Sequence, residues 1–180
     1  EHCRRAEERG IALAASWRVT MATRRSRSVS TSAPRIPFRV KPMLATLVDE
    51  PFDRPGWVYE EKYDGFRILA YKEGSSIRLL TRNDLDRTST FPEIAEAVAA
   101  LGDRTLLLDG EAVAFDRGGV SRFQLLQRGS EKRVLAVFDC LYRNGRDLRR
   151  EPLTVRRAEL EKAVAGAPTA LRVSRRLARN

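Results

Sequence analysis

Lys62 is the residue of this chain whose surroundings best suit covalent chemistry. Two acids precede it directly, and an acid and a glycine follow within three residues. A lysine amine attacks an electrophile only in its neutral form, which desolvation or neighbouring cations favour and nearby acids oppose. A bound metal, Arg67 and Arg82 could offset those acids. The alternative is a surface lysine paired with Glu60 or Asp64, which is the more common role of an isolated Lys-x-Asp-Gly pattern.

Asp109 and Glu111 form the second group of residues that could take part in chemistry. They flank Gly110 between two short apolar runs, so we expect the triplet to end one buried strand and begin another at the rim of a sheet. Carboxylates in that position suit Mg²⁺, which binds one or two protein carboxylates together with substrate phosphate. They also suit hydrogen bonds to a ribose hydroxyl. The alternative is an acidic hairpin tip.

Arg82 and Phe138 have side chains that could bind the rest of a nucleotide. Arg82 follows a predicted strand, and a guanidinium binds phosphate through two parallel hydrogen bonds. The alternative for Arg82 is an exposed arginine at a strand end. Phe138 lies in an apolar run, where its ring could stack on a nucleobase, although the sequence alone favours packing in the core.

The residue counts exclude several other chemistries. The single histidine, His2, lies at the end of the chain, and the two cysteines, Cys3 and Cys140, have no metal-ligand spacing. The sequence also lacks a Walker phosphate loop, a Ser-His-Asp triad and a Rossmann glycine fingerprint. Nucleotidyl transfer through a lysine–phosphate bond is the chemistry that the remaining residues support without histidine or cysteine.

The charge and the hydropathy of the chain indicate its partners and its compartment. A net charge of +10 over 180 residues, mostly from arginine, favours DNA, RNA or nucleotide partners, or reflects an arginine-rich proteome. Two cysteines without a disulfide framework fit a reducing, intracellular setting, so we expect a cytoplasmic protein. The sequence contains no run of about 18 apolar residues, and we expect no membrane segment.

These candidate residues need a framework of strands to hold them. Apolar and alternating runs predict strands at residues 57–61, 66–72, 76–81, 105–108, 112–115, 134–141 and 171–174. A helix is predicted to begin at Pro92, within a Thr90–Glu93 capping box, and to end at Gly102. A short helix is predicted around 123–126 and another over 153–165. Because strands outnumber helices and short turns join many of them, the sequence predicts an α+β fold with mainly antiparallel sheets and flanking helices.

Residues 1–34 differ in composition from the rest of the chain. They are poor in core-forming side chains and rich in basic ones, which predicts a disordered basic arm. The alternatives are a solvated tail without a specific role, a loose phosphate-binding arm and a segment that mimics a transit peptide. We expect order to begin near the prolines at 34–37 and one domain to cover residues 35–180.

Four short motifs in register resemble those of the covalent nucleotidyltransferases, and specifically those of the ATP-dependent DNA ligases. They are Lys62–Arg67, Thr81–Asn83, Leu108–Glu111 and Val137–Asp139. Upstream, Pro42–Ala45 resembles the ligase module of the bacterial end-joining ligases. The match extends from about residue 40 to about residue 174. It implies a partial nucleotidyltransferase, or adenylation, domain of the DNA ligase and mRNA capping enzyme type.

The resemblance implies a reaction of successive transfers. Lys62 would attack the α-phosphate of ATP, release pyrophosphate and carry AMP as a phosphoramide. AMP would then pass to the 5′-phosphate at a nick or break in double-stranded DNA, and a 3′-hydroxyl would displace it, as in DNA repair and recombination. Mg²⁺, bound by Asp109 and Glu111, would spread the developing charge.

The resemblance also implies which residues bind the nucleotide. Glu60 would help to recognise the adenine amino group, and Phe138 would stack on the adenine ring. Arg67 and Arg82 would contact the nucleotide and its phosphates. Glu111 would bind the ribose as an alternative to the metal.

The chain departs from the family after Ser174. The family continues with a Glu-Gly motif, a pair of lysines and an oligonucleotide-binding-fold domain, and none of these follows in this sequence. We therefore expect a domain that is incomplete at its C-terminus and a poor or inactive ligase as it stands. The alternatives are an RNA ligase or capping-type nucleotidyltransferase, and a non-catalytic nucleic-acid-binding remnant. We expect a monomer associated with the nucleoid.

Overall fold

The computed structural model describes residues 4–5, 35–50, 52, 54–129 and 131–177. The arm predicted for residues 1–34 therefore lies outside the described residues, apart from strand β1, Arg4–Arg5. The other strands in the described part of the chain are β2 (Trp57–Val58), β3 (Phe66–Glu73), β4 (Ser76–Thr81), β5 (Thr105–Ala114), β6 (Arg133–Arg143), β7 (Arg146–Asp147) and β8 (Leu171–Val173). The helices there are α1 (Pro92–Ala99), α2 (Phe123–Arg128) and α3 (Leu153–Ala163).

A six-stranded sheet organises the part of the chain that the structure describes. Its order is β4-β3-β5-β6-β7, with antiparallel neighbours throughout, and β8 pairs in parallel with β6. β1 and β2 form a separate antiparallel pair. The predicted α+β class with a mainly antiparallel sheet is confirmed.

The helices cover one face of this sheet and form the main core there. Side chains alternate along β3, so Ile68 and Ala70 point to the same face. They belong to one buried cluster with Ile94 and Val98 of α1 and Leu160 of α3. The opposite face, to which the intervening residues of β3 point, is therefore the one on which a site can form.

The segment of residues 35–50 crosses this opposite face. The Val40 N–H donates a hydrogen bond to the Tyr71 hydroxyl at 3.0 Å. Further along the segment, the Met43 carbonyl accepts a hydrogen bond from Arg67 at 3.4 Å. Tyr71 and Arg67 lie an even number of positions apart on β3, so both contacts are on the same face. The segment therefore runs along β3, from Tyr71 to Arg67.

Strand β5 corrects the prediction for Asp109, Gly110 and Glu111. The strand runs unbroken through this triplet, between β3 on one side and β6 on the other, with a register shift between Asp109 and Gly110. The triplet is not a turn between two strands, because pairing on both sides satisfies the backbone groups of the strand. The glycine instead permits close strand approach, since a Cβ at Gly110 would lie 2.8 Å from the Ala136 carbonyl oxygen.

Helix α1 begins at Pro92, as predicted, but without the predicted capping box. Its N-cap residue makes no side-chain cap. The Glu93 carboxylate accepts hydrogen bonds from the Arg133 guanidinium of β6 instead. A tertiary ion pair has therefore replaced the local cap. The helix ends at Ala99, before the predicted end at Gly102.

Two further elements end before their predicted ends. β2 ends at Val58 rather than at residue 61, and α3 ends at Ala163 rather than at residue 165. None of the helices in the described residues has the length and apolar character needed to cross a membrane.

Candidate active site

A cavity of about 380 Å³ opens around Lys62, on the sheet face opposite the main core. Lys62 lies in the irregular segment between β2 and β3, close to where the sequence predicts it, and its exposed side chain lines the cavity. The lining combines loop residues, the ends or middles of several strands and the start of α3. It consists of Ala45, Val58, Glu60, Glu61, Lys62, Tyr63, Asp64, Gly65, Arg67, Glu111, Phe138 and Leu153.

Hydrogen bonds from the β5–α2 connection hold the lysine segment in place. The Asp64 N–H donates to Ser121 Oγ at 2.9 Å, and Asp64 Oδ2 accepts from the Phe123 N–H at 3.1 Å. Gly65 lets the segment lie against β5, because a Cβ at this position would be 2.1 Å from the Ala112 carbonyl oxygen. The acid and the glycine of the lysine motif therefore position the backbone that carries the amine.

Arg67 of β3 is held by a carboxylate and by an aromatic ring. Its Nε and Nη2 donate to Oδ1 and Oδ2 of Asp109 at 2.5 and 2.8 Å. Its guanidinium carbon lies 4.3 Å from the centre of the Phe138 ring, within cation–π range. Asp109 is 2% exposed, so little water screens this pair. In this structure Asp109 orients Arg67, and its role as a metal ligand stays a prediction.

Glu111 lies opposite Arg67 in the β3–β5 pairing and lines the cavity. Burial raises the pKa of its carboxyl to about 7, against the opposing charge of Arg67 and with the help of the Asp109 and Asp64 carboxylates. A carboxylate whose ionisation is disfavoured gains most from a cation or a hydrogen-bond donor brought by a ligand. Glu111 therefore suits the predicted contact to a metal ion or to a ribose hydroxyl.

Phe138 lies in the cavity lining rather than among the residues of the buried core. Its neighbours on β6, Val137 and Asp139, are buried, whereas Phe138 is half-buried and contacts Arg67. The core packing that the apolar flanks favour is thus not what the structure shows. Asp139 accepts hydrogen bonds from Arg156 of α3 at 2.8 and 3.1 Å, which ties this part of β6 to the helix.

Arg82 does not line the Lys62 cavity but belongs to a neighbouring one of about 600 Å³. Arg82 is exposed on the turn after β4. The two cavities share Ala45, Gly65, Arg67 and Glu111, so they are contiguous. The structure therefore places Arg82 beside the lysine site, across Arg67 and Glu111, rather than within it.

Glu60 lines the cavity and is fixed by α3, which sequence reasoning did not connect with the site. Its Oε1 accepts a hydrogen bond from Arg157 Nη1 at 3.0 Å. Leu153, at the start of the same helix, lines the cavity as well. The sequence predicts the helix, but Arg156 and Arg157 are among its buried residues, and no local signal indicates which residues face the lysine segment.

The sheet, the helices behind it and the lysine segment across its open face together define a nucleotidyltransferase fold. The crystal structure of the ligase domain of Mycobacterium tuberculosis LigD matches it with a TM-score of 0.60 at 31% identity, over 69% of this chain and 42% of that chain. A mycobacterial DNA ligase D, solved with ATP and MES, matches with a TM-score of 0.59 at 31% identity, over 68% of this chain and 40% of that chain.

The sequence comparison identifies the family. A family profile described as ATP dependent DNA ligase domain matches residues 42–180, and the chain belongs to this family. The multifunctional non-homologous end joining protein LigD of Pseudomonas aeruginosa is 40% identical over 136 residues, an alignment that covers 73% of this chain and 16% of that protein. The predicted membership is confirmed. The chain spans less than half the length of each of these relatives.

Proposed function

We propose that this chain forms the nucleotide-binding part of an ATP-dependent DNA ligase and that Lys62 is the residue that becomes adenylylated. The observation that carries the proposal is the convergence of Lys62, Arg67, Glu111 and Phe138 on one cavity, from a loop and three different strands. The mycobacterial relative solved with ATP supports the choice of nucleotide. A surface lysine in an acidic turn would require none of these neighbours.

In the proposed reaction the Lys62 amine attacks the α-phosphorus of ATP. A nitrogen–phosphorus bond forms, the bond from the α-phosphorus to the bridging oxygen breaks, and pyrophosphate leaves with the electron pair. The amine loses a proton in the same step. The product is a phosphoramide that keeps AMP on the lysine. Asp64 and Gly65 contribute by fixing the backbone next to the amine, so that less conformational freedom is lost when the nucleotide binds.

The other cavity residues would contact either the adenine base or the phosphates. Phe138 provides an aromatic surface for the adenine ring, and Glu60 provides an acceptor for its amino group. Arg67 and Arg82 provide positive charge for phosphate oxygens. Since Arg82 lines the contiguous cavity, we assign it to the phosphates that lie away from the base.

The carboxylates fit the predicted Mg²⁺. No group of three or more His, Cys, Asp or Glu side chains in the described residues is arranged to hold a metal ion by itself. Mg²⁺ commonly binds through one or two carboxylates and substrate phosphates. Both Asp109 oxygens accept hydrogen bonds from Arg67, which leaves Glu111 as the carboxylate that would hold the ion. When bound, the ion would offset negative charge on the phosphates.

The DNA steps follow from the family and are also part of the proposal. AMP would pass from Lys62 to the 5′-phosphate at a nick or break, and a 3′-hydroxyl would displace it. The Pseudomonas aeruginosa relative is named for non-homologous end joining, which supports a substrate of broken double-stranded DNA and a role in repair. Sealing assays with nicked DNA and nicked RNA would separate this function from the RNA ligase alternative.

The test of the proposal is incubation with Mg²⁺ and ATP labelled at the α-phosphate, followed by denaturing electrophoresis. We expect a covalent label that is absent from Lys62→Arg, since a guanidinium is too weak a nucleophile to replace the amine. Lys162→Arg is the matched control, because Lys162 is an exposed lysine on α3 that pairs with Glu159. It should keep the label of the wild type.

Two results would contradict the proposal. One is a label that survives in Lys62→Arg, and the other is failure of the wild-type chain to bind ATP in calorimetry. The yield of the label also tests the expectation that the chain is a poor ligase as it stands. A robust yield would show that expectation wrong.

A further inference from the structure

Arg157 is a buried arginine whose guanidinium lies behind the nucleotide cavity. It belongs to α3 and is 6% exposed. Its Nη1 donates to Glu60 Oε1 at 3.0 Å and to Ser174 Oγ at 2.9 Å. Its Nη2 donates to the Ser174 carbonyl at 2.7 Å, and its Nε donates to Glu161 at 3.0 Å. We call Arg157, Glu60 and Ser174 the Arg157 cluster.

The geometry of the Arg157 cluster requires an arginine. One planar side chain makes four hydrogen bonds, to Glu60, to both the hydroxyl and the carbonyl of Ser174, and to Glu161 on its own helix. Lysine has a single nitrogen and could not make these contacts together. Burying a charged group is unfavourable unless such partners compensate it, so the contacts have to form as a set.

Helix α3 links the cluster to the cavity. Leu153 and Arg157 are four residues apart and therefore lie on the same face of the helix. Leu153 forms part of the cavity wall, while Arg157 holds Glu60, another wall residue. Any shift of α3 would therefore move both an apolar contact and the carboxylate of the site.

The backbone next to Glu60 is fixed in the same place. The Glu61 N–H donates to the Arg175 carbonyl at 3.0 Å, and the Leu177 N–H donates to the Tyr59 carbonyl at 2.9 Å. Arg157 bonds to residues of both segments that this pairing joins, Glu60 on one side and Ser174 on the other. Arg157 thus joins the Glu60 carboxylate to the segment that pairs with the backbone leading to the lysine, and Arg176 of that segment lies 3.9 Å from the same carboxylate oxygen.

We infer that Arg157 is a positioning residue that sets the preference for adenine, an inference that rests on the proposed function. Adenine carries an amino donor where guanine carries a carbonyl acceptor. A fixed Glu60 carboxylate accepts a hydrogen bond from the adenine amino group and repels the guanine carbonyl oxygen. Loss of Arg157 removes the 3.0 Å hydrogen bond and leaves the longer 3.9 Å contact with the exposed Arg176. Glu60 can then turn away from guanine, so the discrimination weakens even though Glu60 itself is retained.

The test measures ATP and GTP binding to the full chain by calorimetry. The wild type is expected to prefer ATP, and in Arg157→Lys the ratio of the two affinities should fall about tenfold, the size of one hydrogen bond to a charged group. Ser174→Ala removes one hydroxyl from the Arg157 cluster and keeps the carbonyl contact. It should lower the ratio by a smaller factor and provides a milder variant if Arg157→Lys unfolds.

Arg143→Lys is the matched control. Arg143 is a partly buried arginine with two acidic partners, Asp103 at 3.0 Å and Glu159 at 2.9 Å, but neither partner lines the Lys62 cavity, whereas Glu60 does. We expect it to lower the melting temperature without changing the ATP-to-GTP ratio. A ratio that changes equally in Arg143→Lys, or that is unchanged in both cluster variants, would overturn the inference.

The outcome for the wild type separates this inference from the proposed function. A wild-type chain that binds neither nucleotide contradicts both. A wild-type chain that prefers ATP, with cluster variants that keep the same preference, contradicts only the role of Arg157.

Discussion

Asp64 Oδ2 accepts a hydrogen bond from the backbone N–H of Phe123, at 3.1 Å and 59 residues away in the sequence. Phe123 is the first residue of α2, whose N-cap residue makes no side-chain cap. Asp64 therefore satisfies a free N–H at the start of that helix from a different part of the chain. Asp64 thus stabilises the start of α2, and the same hydrogen bond holds the lysine segment against that helix.

The first prediction concerns this contact. Asp64→Ala removes the acceptor, so we expect a loss of about 1 kcal/mol in the free energy of unfolding. Amide hydrogen exchange in the peptide that contains Lys62 should also become faster. Asp64→Asn keeps one acceptor oxygen and should stay closer to the wild type in both measurements. Equal exchange rates in the wild type and Asp64→Ala would show that the contact does not hold the segment.

The second prediction concerns two glycines that permit close strand contacts. A Cβ on Gly65 would lie 2.1 Å from the Ala112 carbonyl oxygen, and a Cβ on Gly110 would lie 2.8 Å from the Ala136 carbonyl oxygen. Backbone atoms cannot yield as a flexible side chain can. We therefore expect Gly110→Ala to cost about 1–3 kcal/mol in urea unfolding and Gly65→Ala at least as much.

Gly102→Ala is the control for both glycines. A Cβ at Gly102 would meet no atom within 4 Å, and its backbone is not in the left-handed region. This substitution should change stability by less than about 1 kcal/mol, with stabilisation expected. If Gly102→Ala lowers the free energy of unfolding as much as Gly65→Ala does, the cause is a general effect of alanine and not the close contacts.

The elements that could be predicted from the sequence are those fixed by local signals. The turn at Gly74 between β3 and β4 and the proline start of α1 are examples, and both are in the structure. The Asp109–Glu111 triplet shows the limit of such signals. An acid and a glycine inside an apolar run are typical of a turn, yet Arg67 neutralises Asp109 and the neighbouring strands accommodate the glycine.

Local sequence motifs likewise predict part of the candidate site and not all of it. The motifs indicate Lys62, Arg67, Glu111 and Phe138, and the structure brings these together around one cavity. The sequence could not indicate Arg157, because its contact with Glu60 joins residues 97 positions apart. Such contacts depend on how α3 packs on the sheet, and local pattern contains no information on that packing.

The third prediction concerns the Arg67–Asp109 pair. Asp109→Asn leaves the Arg67 guanidinium partly buried beside an uncharged amide, so we expect a loss of about 2–3 kcal/mol in unfolding free energy. The double variant Arg67→Met with Asp109→Leu should lose less than the sum of the single variants, because the two residues act as one unit. A strictly additive double variant would contradict the coupling.

The exposed pair Arg149–Asp147 is the control for that measurement. Its side chains are each 42% exposed, and Arg149 Nε and Nη2 donate to Asp147 Oδ1 and Oδ2 at 2.9 and 2.6 Å, the same paired arrangement as in the buried pair. Asp147→Asn should cost less than about 1 kcal/mol, since water and salt screen a pair at the surface. The contrast between the two pairs tests burial rather than geometry as the source of the energy.

The fourth prediction is a pH dependence of stability that originates from Glu111. Burial raises the pKa of this carboxyl from 4.5 to about 7 in the folded protein. Below pH 4.5 the carboxyl is protonated in both the folded and the unfolded state and does not affect the free energy of unfolding. Between the two values the unfolded state ionises while the folded state stays neutral, so stability falls as the pH rises. Above about pH 7 the carboxyl is ionised in both states, and stability falls no further on its account.

Urea unfolding of the wild type and of Glu111→Gln, at pH 5 and pH 8 in buffer without divalent metal, isolates this effect, because the other titrating groups are common to both. Relative to the variant, the wild type should lose about 2 kcal/mol between the two pH values, an amount reduced for partial contact of the carboxyl with solvent. A constant difference would mean that Glu111 ionises normally in the fold. A difference of opposite sign would mean that Arg67 stabilises its charged form more than burial disfavours it.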